Sequence, residues 1–269
     1  MTTSECAGPI EPRREYVRVG STRLSYLTWG AAGAPLVMLH GITSSARTWW
    51  RVAPELVARG YRPYAFDLPG HGESDAVETH GIPDISALIA GACASLGLSE
   101  PAIVGHSWGG AVALLLALQI SSGRVVLVDP LVENDQASGA TRVKPFLVGV
   151  DQPRAETEPT VRANNPDWHN CDVFWKTEAL EQCRPAAVRG VFESTGDWAL
   201  FEQCAKLGDR ALILVADPQY TILTPPRLAA VQAALARGGG AILDVPGTTH
   251  NMFRGAGYAP FMQALLSWL

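Results

Sequence analysis

Six short apolar runs recur along the chain: PLVMLH (35–40), RPYAFD (62–67), PAIVGH (101–106), RVVLVD (124–129), RALILVAD (210–217) and AILDVP (241–246). Each is bounded by Gly, Pro, Asp or His rather than alternating with polar residues. Continuous apolar runs of this length read as strands buried on both faces, and such strands belong to parallel sheets. Stretches with helical spacing lie between them. PDISALIAGACASLG (83–97) places Ile85, Leu88, Ile89 and Leu96 on one face. TPPRLAAVQAALARGGG (224–240) has Pro near its start and Gly at its end, as helices prefer. YAPFMQALLSWL (258–269) closes the chain with Phe261, Leu265 and Leu266 at helical spacing. Strand and helix in alternation require right-handed crossovers, hence a doubly wound α/β sheet. YVRVGSTRLSYLTWG (16–30) alternates apolar and polar residues about Gly20-Ser21 and adds a hairpin, for about eight strands. At 269 residues, 47% of them hydrophobic, the chain can bury one large core.

Two intervals stand outside this rhythm. Residues 1–14 carry Pro9, Pro12, Glu5 and Glu11 and read as a flexible tail, with no apolar core of a secretion signal. Residues 131–205 hold no strand-like run. They are polar, with scattered Trp168, Phe174, Trp175, Phe192, Trp198 and Phe201. Such an interval between two strands predicts a helical insertion over one sheet edge. The expected organisation is a tail (1–14), a core (15–130 and 206–269) and a helical cap (131–205).

One junction carries chemistry. PAIVGHSWGGAVALLLA (101–117) is an apolar run, then Gly-His-Ser-Trp-Gly, then a second apolar run. G-x-S-x-G between a strand and a helix is a nucleophile elbow. The turn is too sharp for side chains two residues before and after the serine. It projects the Ser107 hydroxyl beyond the carboxyl end of the sheet, where the helix start favours an anion.

A serine hydroxyl is a weak nucleophile and needs a base and a site for an oxyanion. His250, in ILDVPGTTHNMF after the last strand, is the candidate base. The backbone amides of Ile42, in VMLHGITSS, and of Trp108 are the candidate oxyanion donors. The other histidines suit other tasks. His40 and His71 lie in loop-shaping segments, His106 precedes the nucleophile, and His80 and His169 lie in polar contexts.

Composition excludes several partners. The formal net charge is −5, and no Lys/Arg-rich run occurs, which argues against nucleic acid and anionic membranes. The longest apolar run, Ala111 to Ala117, is far short of a membrane span. Five cysteines (6, 93, 171, 183 and 204) form no C-x-x-C. An odd number without that motif predicts reduced thiols and a cytoplasmic protein. Cys171 beside His169 is the only pairing that could suggest a thiol nucleophile. No phosphate-binding glycine loop and no metal-spaced cluster occurs, so no cofactor and no metal is implied. The expected partner is a small-molecule substrate, bound by a monomer or homodimer.

LHG (39–41), FDLPGHGES (66–74), GHSWGG (105–110), VLVDP (126–130) and PGTTHN (246–251), in this order, resemble the α/β-hydrolase family, its serine hydrolase branch. The resemblance covers about residues 16–130 and 205–269. It implies an α/β-hydrolase fold with a helical cap at 131–205. It also implies an acid that orients His250, in the order Ser, acid, His. Two positions satisfy that order. Asp217 follows the strand ALILVAD, but Gln219 occupies the family's more usual acid offset there. Asp129, in VLVDP, follows the strand after the nucleophile helix, where some branches of the family carry the acid. Asp129 is favoured, Asp217 is the alternative, and Glu133 is a further candidate. Serine in place of the Asp nucleophile of related epoxide hydrolases and haloalkane dehalogenases points to acyl transfer. The expected activity is hydrolysis of a carboxylic ester or lactone of a small to medium, mostly apolar substrate, with Trp168, Trp175 and Trp198 as candidate pocket residues. The same residues also suit a C–C bond hydrolase, a cofactor-free perhydrolase, or, in another class, a weakly hydrolytic ligand receptor.

Overall fold

The computed structural model describes every residue except Met1, Ser4, Ala7 and Ser194. The first strands, β1 (Arg13–Val19) and β2 (Thr22–Thr28), form the expected hairpin around Gly20. Then follow β3 (Ala34–Leu39), α1 (Val52–Ala58), β4 (Tyr61–Phe66), α2 (Ile82–Ser95), β5 (Ala102–His106), α3 (Trp108–Gln119) and β6 (Val125–Val128). The chain then leaves the sheet for β7 (Glu133–Asn134), α4 (Gly139–Arg142), α5 (Arg154–Asn164), α6 (Asn170–Glu181), α7 (Pro185–Glu193), β8 (Trp198–Ala199) and α8 (Phe201–Lys206). It returns through β9 (Ala211–Val215), α9 (Pro225–Gly238), β10 (Ala241–Asp244) and α10 (Tyr258–Trp268).

Eight strands make one sheet in the order β1-β2-β4-β3-β5-β6-β9-β10. The two pairings that involve β2 are antiparallel, and the rest are parallel. Period-two alternation divides the buried strand residues between two cores. Val37, Leu39, Ile103 and Leu127 face α2, α3 and α9, whereas Leu36, Met38, Val104 and Val126 face α1 and α10. Helices therefore cover both faces, and only the strand ends are open to substrate.

The interval between β6 and β9 is largely helical, with one feature the sequence did not announce. Glu133–Asn134 and Trp198–Ala199 pair as a two-stranded antiparallel ladder at its base. A two-residue ladder is too short to give a periodic signal.

The cysteines differ from expectation. Cys6 and Cys171 form a disulfide with Cα atoms 5.3 Å apart, and Cys93, Cys183 and Cys204 are buried free thiols. Cys6 is fully buried, and its carbonyl accepts a 2.9 Å hydrogen bond from Trp175 Nε1. The amino-terminal segment is thus fastened to α6 rather than loose. The Cys171–His169 pairing is also spent: Cys171 lies in the disulfide, and His169 Nδ1 caps α6 by accepting from the Cys171 amide at 3.1 Å. Opening this bond should remove about 2 kcal/mol or more of stability, roughly 4–8 °C in Tm for a chain of this size. Thermal melts with and without reductant measure this. An unchanged Tm would show that the clasp contributes no stability.

Candidate active site

The elbow is built by close backbone approach. Ser107 joins β5 to α3 with φ 54° and ψ −120°, a left-handed conformation that is costly for a side-chain-bearing residue. The surroundings hold it there. Its amide donates to Val128 O at 3.0 Å, and its carbonyl accepts from Gly110 N and Leu131 N, both at 2.9 Å. A Cβ on Gly105 would lie 2.4 Å from Gly109 O, and one on Gly109 would lie 2.3 Å from His40 O. Only glycine fits at either position, which is the steric content of the G-x-S-x-G pattern.

The loop after β3 faces this turn. A Cβ on Gly41 would come within 3.1 Å of Ser107 Cβ, so the Gly41–Ile42 backbone runs directly beside the serine. Among the described residues, no backbone or side-chain acceptor takes the amide of Ile42 or of Trp108. Both are free to receive an oxyanion. The loop is braced from below by two neutral histidines. His40 Nδ1–H donates to Gly41 O at 2.7 Å, and its Nε2 accepts from Leu68 N at 2.9 Å. His71 Nδ1–H donates to Pro69 O at 3.1 Å, and its Nε2 accepts from Thr43 N at 3.2 Å. Burial pushes His40 down to about 4 and His71 to about 3. Both are acceptors that shape the loop, not bases near neutrality.

His250 lies on the loop after β10 and shares the walls of two cavities with Ser107. Its Nδ1–H donates to Asp129 Oδ2 at 2.6 Å. That leaves Nε2 as the ring atom with a free lone pair. Asp129 ends β6, is fully buried, and adopts φ 41°. Its carboxylate also accepts from Thr221 Oγ1 and from the Ile222 amide. The His250 ring packs 4.6 Å from the His106 ring, and His106 Nε2–H donates to His250 O at 2.9 Å. Burial first, then the neighbouring His250, drives His106 well below its ordinary value. It therefore supports His250 as a neutral donor.

The other candidate acids stand elsewhere. Asp217 Oδ2 accepts from Gly247 N at 3.1 Å and so fixes the turn that leads to His250. Glu133 pairs with Arg227 Nε at 2.6 Å.

Two cavities meet at Ser107 and His250. One, of about 430 Å³, is walled mainly by Leu131, Pro145, Phe146, Phe192 and Ile222. The other, of about 270 Å³, includes Thr43, Asn164, Asn165, Trp168, Lys176 and Arg254. Of the three tryptophans expected in a pocket, the structure places only Trp168 on these walls. Trp175 is buried against the Cys6–Cys171 clasp, and Trp198 is held at the base of the insertion, its Nε1 donating to Thr195 Oγ1 at 3.2 Å. Neither lines a cavity at Ser107, which corrects the expectation for both. Trp175 meets Cys6 and Trp198 pairs with Asn134 across the β7–β8 ladder, both distant in sequence, so their aromatic character could not separate pocket from packing.

Sequence reasoning missed Lys176 and Arg254. One signal was present. Lys176 shares a helical face with Val173 and Leu180, both buried, where a solvated lysine is out of place. Arg254 follows Phe253 in an irregular loop and carried no such signal. Among the described residues, no three His, Cys, Asp or Glu side chains gather to hold a metal ion, and no helix is long and apolar enough to cross a membrane.

Comparison with known proteins places this geometry. The profile described as the alpha/beta hydrolase family matches residues 36–262. The 2-succinyl-6-hydroxy-2,4-cyclohexadiene-1-carboxylate synthase of Salmonella agona is 32% identical over 165 residues, 60% of this chain. The match spans 63% of the synthase, less than two thirds of its length. N-formylmaleamate deformylase of Pseudomonas putida is 29% identical over 208 residues, 74% of this chain and 76% of the deformylase. The crystal structure of E-2-(acetamidomethylene)succinate hydrolase superposes with a TM-score of 0.80 at 19% identity, covering 96% of this chain and 98% of that one. The eight-stranded sheet, the serine elbow between β5 and α3, and a family match running from β3 into α10 agree: this chain belongs to the alpha/beta hydrolase family.

Proposed function

We propose that this chain is a serine hydrolase that cleaves a carboxylic ester or lactone of a small to medium substrate through an acyl-enzyme on Ser107. The 2.6 Å hydrogen bond from His250 to buried Asp129, on the wall shared with Ser107, carries this reading. Asp129 fixes the tautomer in which Nε2 accepts the Ser107 proton. The Ser107 oxygen then attacks the substrate carbonyl carbon. The carbonyl π electrons move to oxygen, and the oxyanion is received by the Ile42 and Trp108 amides. As the intermediate collapses, His250 returns the proton to the leaving alkoxide. Water repeats the sequence on the acyl-enzyme, with His250 again as base, and frees the acid. Residues 131–205 act as the cap, closing the larger chamber with Phe146 and Phe192, which suits an apolar portion of the substrate.

The expectation of a cytoplasmic protein rests on reduced cysteines. The Cys6–Cys171 bond weighs against that compartment, where thiols are kept reduced. A second reading is C–C bond hydrolysis on the same three residues; the likeness to a synthase and to an N-formyl deformylase, neither named for ester or lactone cleavage, supports a reaction other than ester hydrolysis.

A fluorophosphonate probe should add once, at Ser107, and prior incubation with it should abolish turnover. A panel of p-nitrophenyl esters, lactones and a 1,5-diketone then separates the two readings. Labelling elsewhere, with activity intact, rejects both.

A further inference from the structure

The smaller chamber beside Ser107 is unusual in its charge. It is lined by Lys176 and Arg254 and by no Asp or Glu. Arg254 is only 4% exposed. Its Nη2 donates to Thr48 Oγ1 at 2.7 Å, while its Nε has no hydrogen-bond partner. Its guanidinium carbon lies 4.4 Å from the centroid of the Trp168 ring, which fixes one face of the group. Among the described residues no carboxylate lies within ion-pair distance of it; Asp172 acts from further away, with Oδ1 taken by Trp50 Nε1 at 2.9 Å and Oδ2 without a hydrogen-bond partner. Lys176 Nζ donates to Thr43 O at 2.7 Å and to Thr43 Oγ1 at 2.8 Å. An ammonium has three hydrogens, so one remains without an acceptor among the described residues, on a side chain that lines the cavity.

A buried cation without a counter-ion is expensive, because desolvation is not repaid by a partner. Both groups register that cost. Burial pushes Arg254 down to about 10, and burial together with the Arg254 charge pushes Lys176 down to about 7. Of the two arginines of the larger chamber, Arg227 contrasts with them. Arg227 is paired with Glu133, and Arg142 Nη1 donates to Asn134 Oδ1. Among the described residues, neither Arg254 nor Lys176 has a carboxylate within ion-pair distance, and the acceptors they do have, Thr48 and Thr43, are neutral.

Resting on the serine hydrolase reading above, we infer that this chamber is a carboxylate subsite, in which Arg254 and Lys176 receive a carboxylate borne by the substrate while its scissile carbonyl sits at Ser107. A carboxylate supplies the planar acceptor pair that a guanidinium edge matches. It also places a negative charge between two like charges that otherwise repel. Ser107 and His250 line both chambers, so a substrate anchored by its carboxylate presents its carbonyl at the nucleophile and its remaining portion to the apolar chamber. The substrate class is then a half-ester or an acid-bearing lactone, more polar at one end than sequence alone led us to expect.

Two measurements test this. The first is calorimetry on Ser107→Ala with monomethyl succinate and methyl butyrate, which differ in carboxylate against methyl. The half-ester should bind at least roughly 10-fold more tightly, and Arg254→Met in the same background should remove that difference. Inorganic phosphate should not compete at equal concentration. Equal binding of the two esters, or equal competition by phosphate, overturns the carboxylate assignment. The second is the ratio of kcat/KM for p-nitrophenyl hemisuccinate to that for p-nitrophenyl butyrate. Arg254→Met and Lys176→Met should each lower this ratio by roughly 10²-fold, while Arg254→Lys, which keeps the charge but not the planar fork, should lower it less than Arg254→Met. A ratio cancels losses from altered folding or from movement of the Thr43 loop, which Lys176 also braces. A ratio unchanged in both Met variants overturns the proposal. Binding to Ser107→Ala needs no turnover, so the subsite stands or falls apart from the nucleophile. Labelling of Ser107 with equal binding of both esters sinks the subsite and leaves the hydrolase.

Discussion

Ser107→Ala should fold as the wild-type chain does and lose on the order of 10⁴–10⁶ in kcat. The two halves of that expectation come from different atoms. The elbow is held by the backbone of residue 107, through the amide to Val128 O and the carbonyl to Gly110 N and Leu131 N. None of these bonds uses the hydroxyl. Alanine keeps Cβ, so packing against Gly41 is unchanged, and the left-handed φ is no worse than in serine. Stability should move by less than about 1 kcal/mol, as for substitutions without a cavity or an orphaned polar group. The chemistry has no substitute. His106, beside His250, is spent on the His250 carbonyl, and His40 and His71 are held as neutral acceptors. On the proposed mechanism, loss of Ser107 leaves only water as nucleophile, assisted by His250 and the two amides. A loss of 10⁵ corresponds to about 7 kcal/mol at the transition state. Melting temperature and kcat on one ester settle both halves. A variant that keeps a tenth of wild-type turnover would remove Ser107 from the mechanism, and one that unfolds would show the hydroxyl to be structural.

The sheet was legible because its strands are buried on both faces. A run such as LVML has no solvent side, and only a covered parallel strand accommodates it. The elbow was legible for a steric reason: Gly105 and Gly109 are read from sequence as gaps that the backbone must fill. The insertion was legible only as an interval without strands. Its helix α6 is buried nearly all round, so hydrophobic spacing along it does not say which residue meets the cavity and which the clasp. Trp168 and Trp175 are indistinguishable by composition, yet one lies over Arg254 and the other against Cys6. The Cys6–Cys171 pairing spans 165 residues and depends on where the insertion folds back. No local pattern records that. Lys176 comes from helix α6 of the insertion and Arg254 from the loop after β10, far apart in sequence, so their shared charge is a property of the fold.

Asp129→Asn should cost roughly 10⁴ in turnover, about 5 kcal/mol at the transition state, with much less effect on stability. The carboxylate accepts from three donors: the His250 ring, the Thr221 hydroxyl and the Ile222 amide. Asparagine keeps the shape but has one acceptor oxygen and one NH2 group. If the oxygen serves Thr221, the NH2 faces His250 and Ile222, and both must lose a bond. His250 can recover one only by moving its proton to Nε2, so that Nδ1 accepts from the amide. In that tautomer the atom turned to Ser107 carries a proton and cannot take another. If the side chain turns over, the oxygen serves His250 but the negative charge that stabilises the imidazolium in the transition state is gone. Either orientation impairs the base. Asp217→Asn is the matched control, since among the described residues the Asp217 carboxylate accepts only from Gly247 N in the turn before His250, and the asparagine side-chain oxygen can still do so. It should stay within several-fold of wild type. Glu133→Gln breaks a pair with Arg227 away from His250 and should behave likewise. The three variants, measured on one ester at saturating concentration, form a complete comparison. Wild-type turnover in Asp129→Asn, together with a collapse in Asp217→Asn, would move the orienting role to the loop after β9 and make the Asp129–His250 hydrogen bond a feature of packing alone.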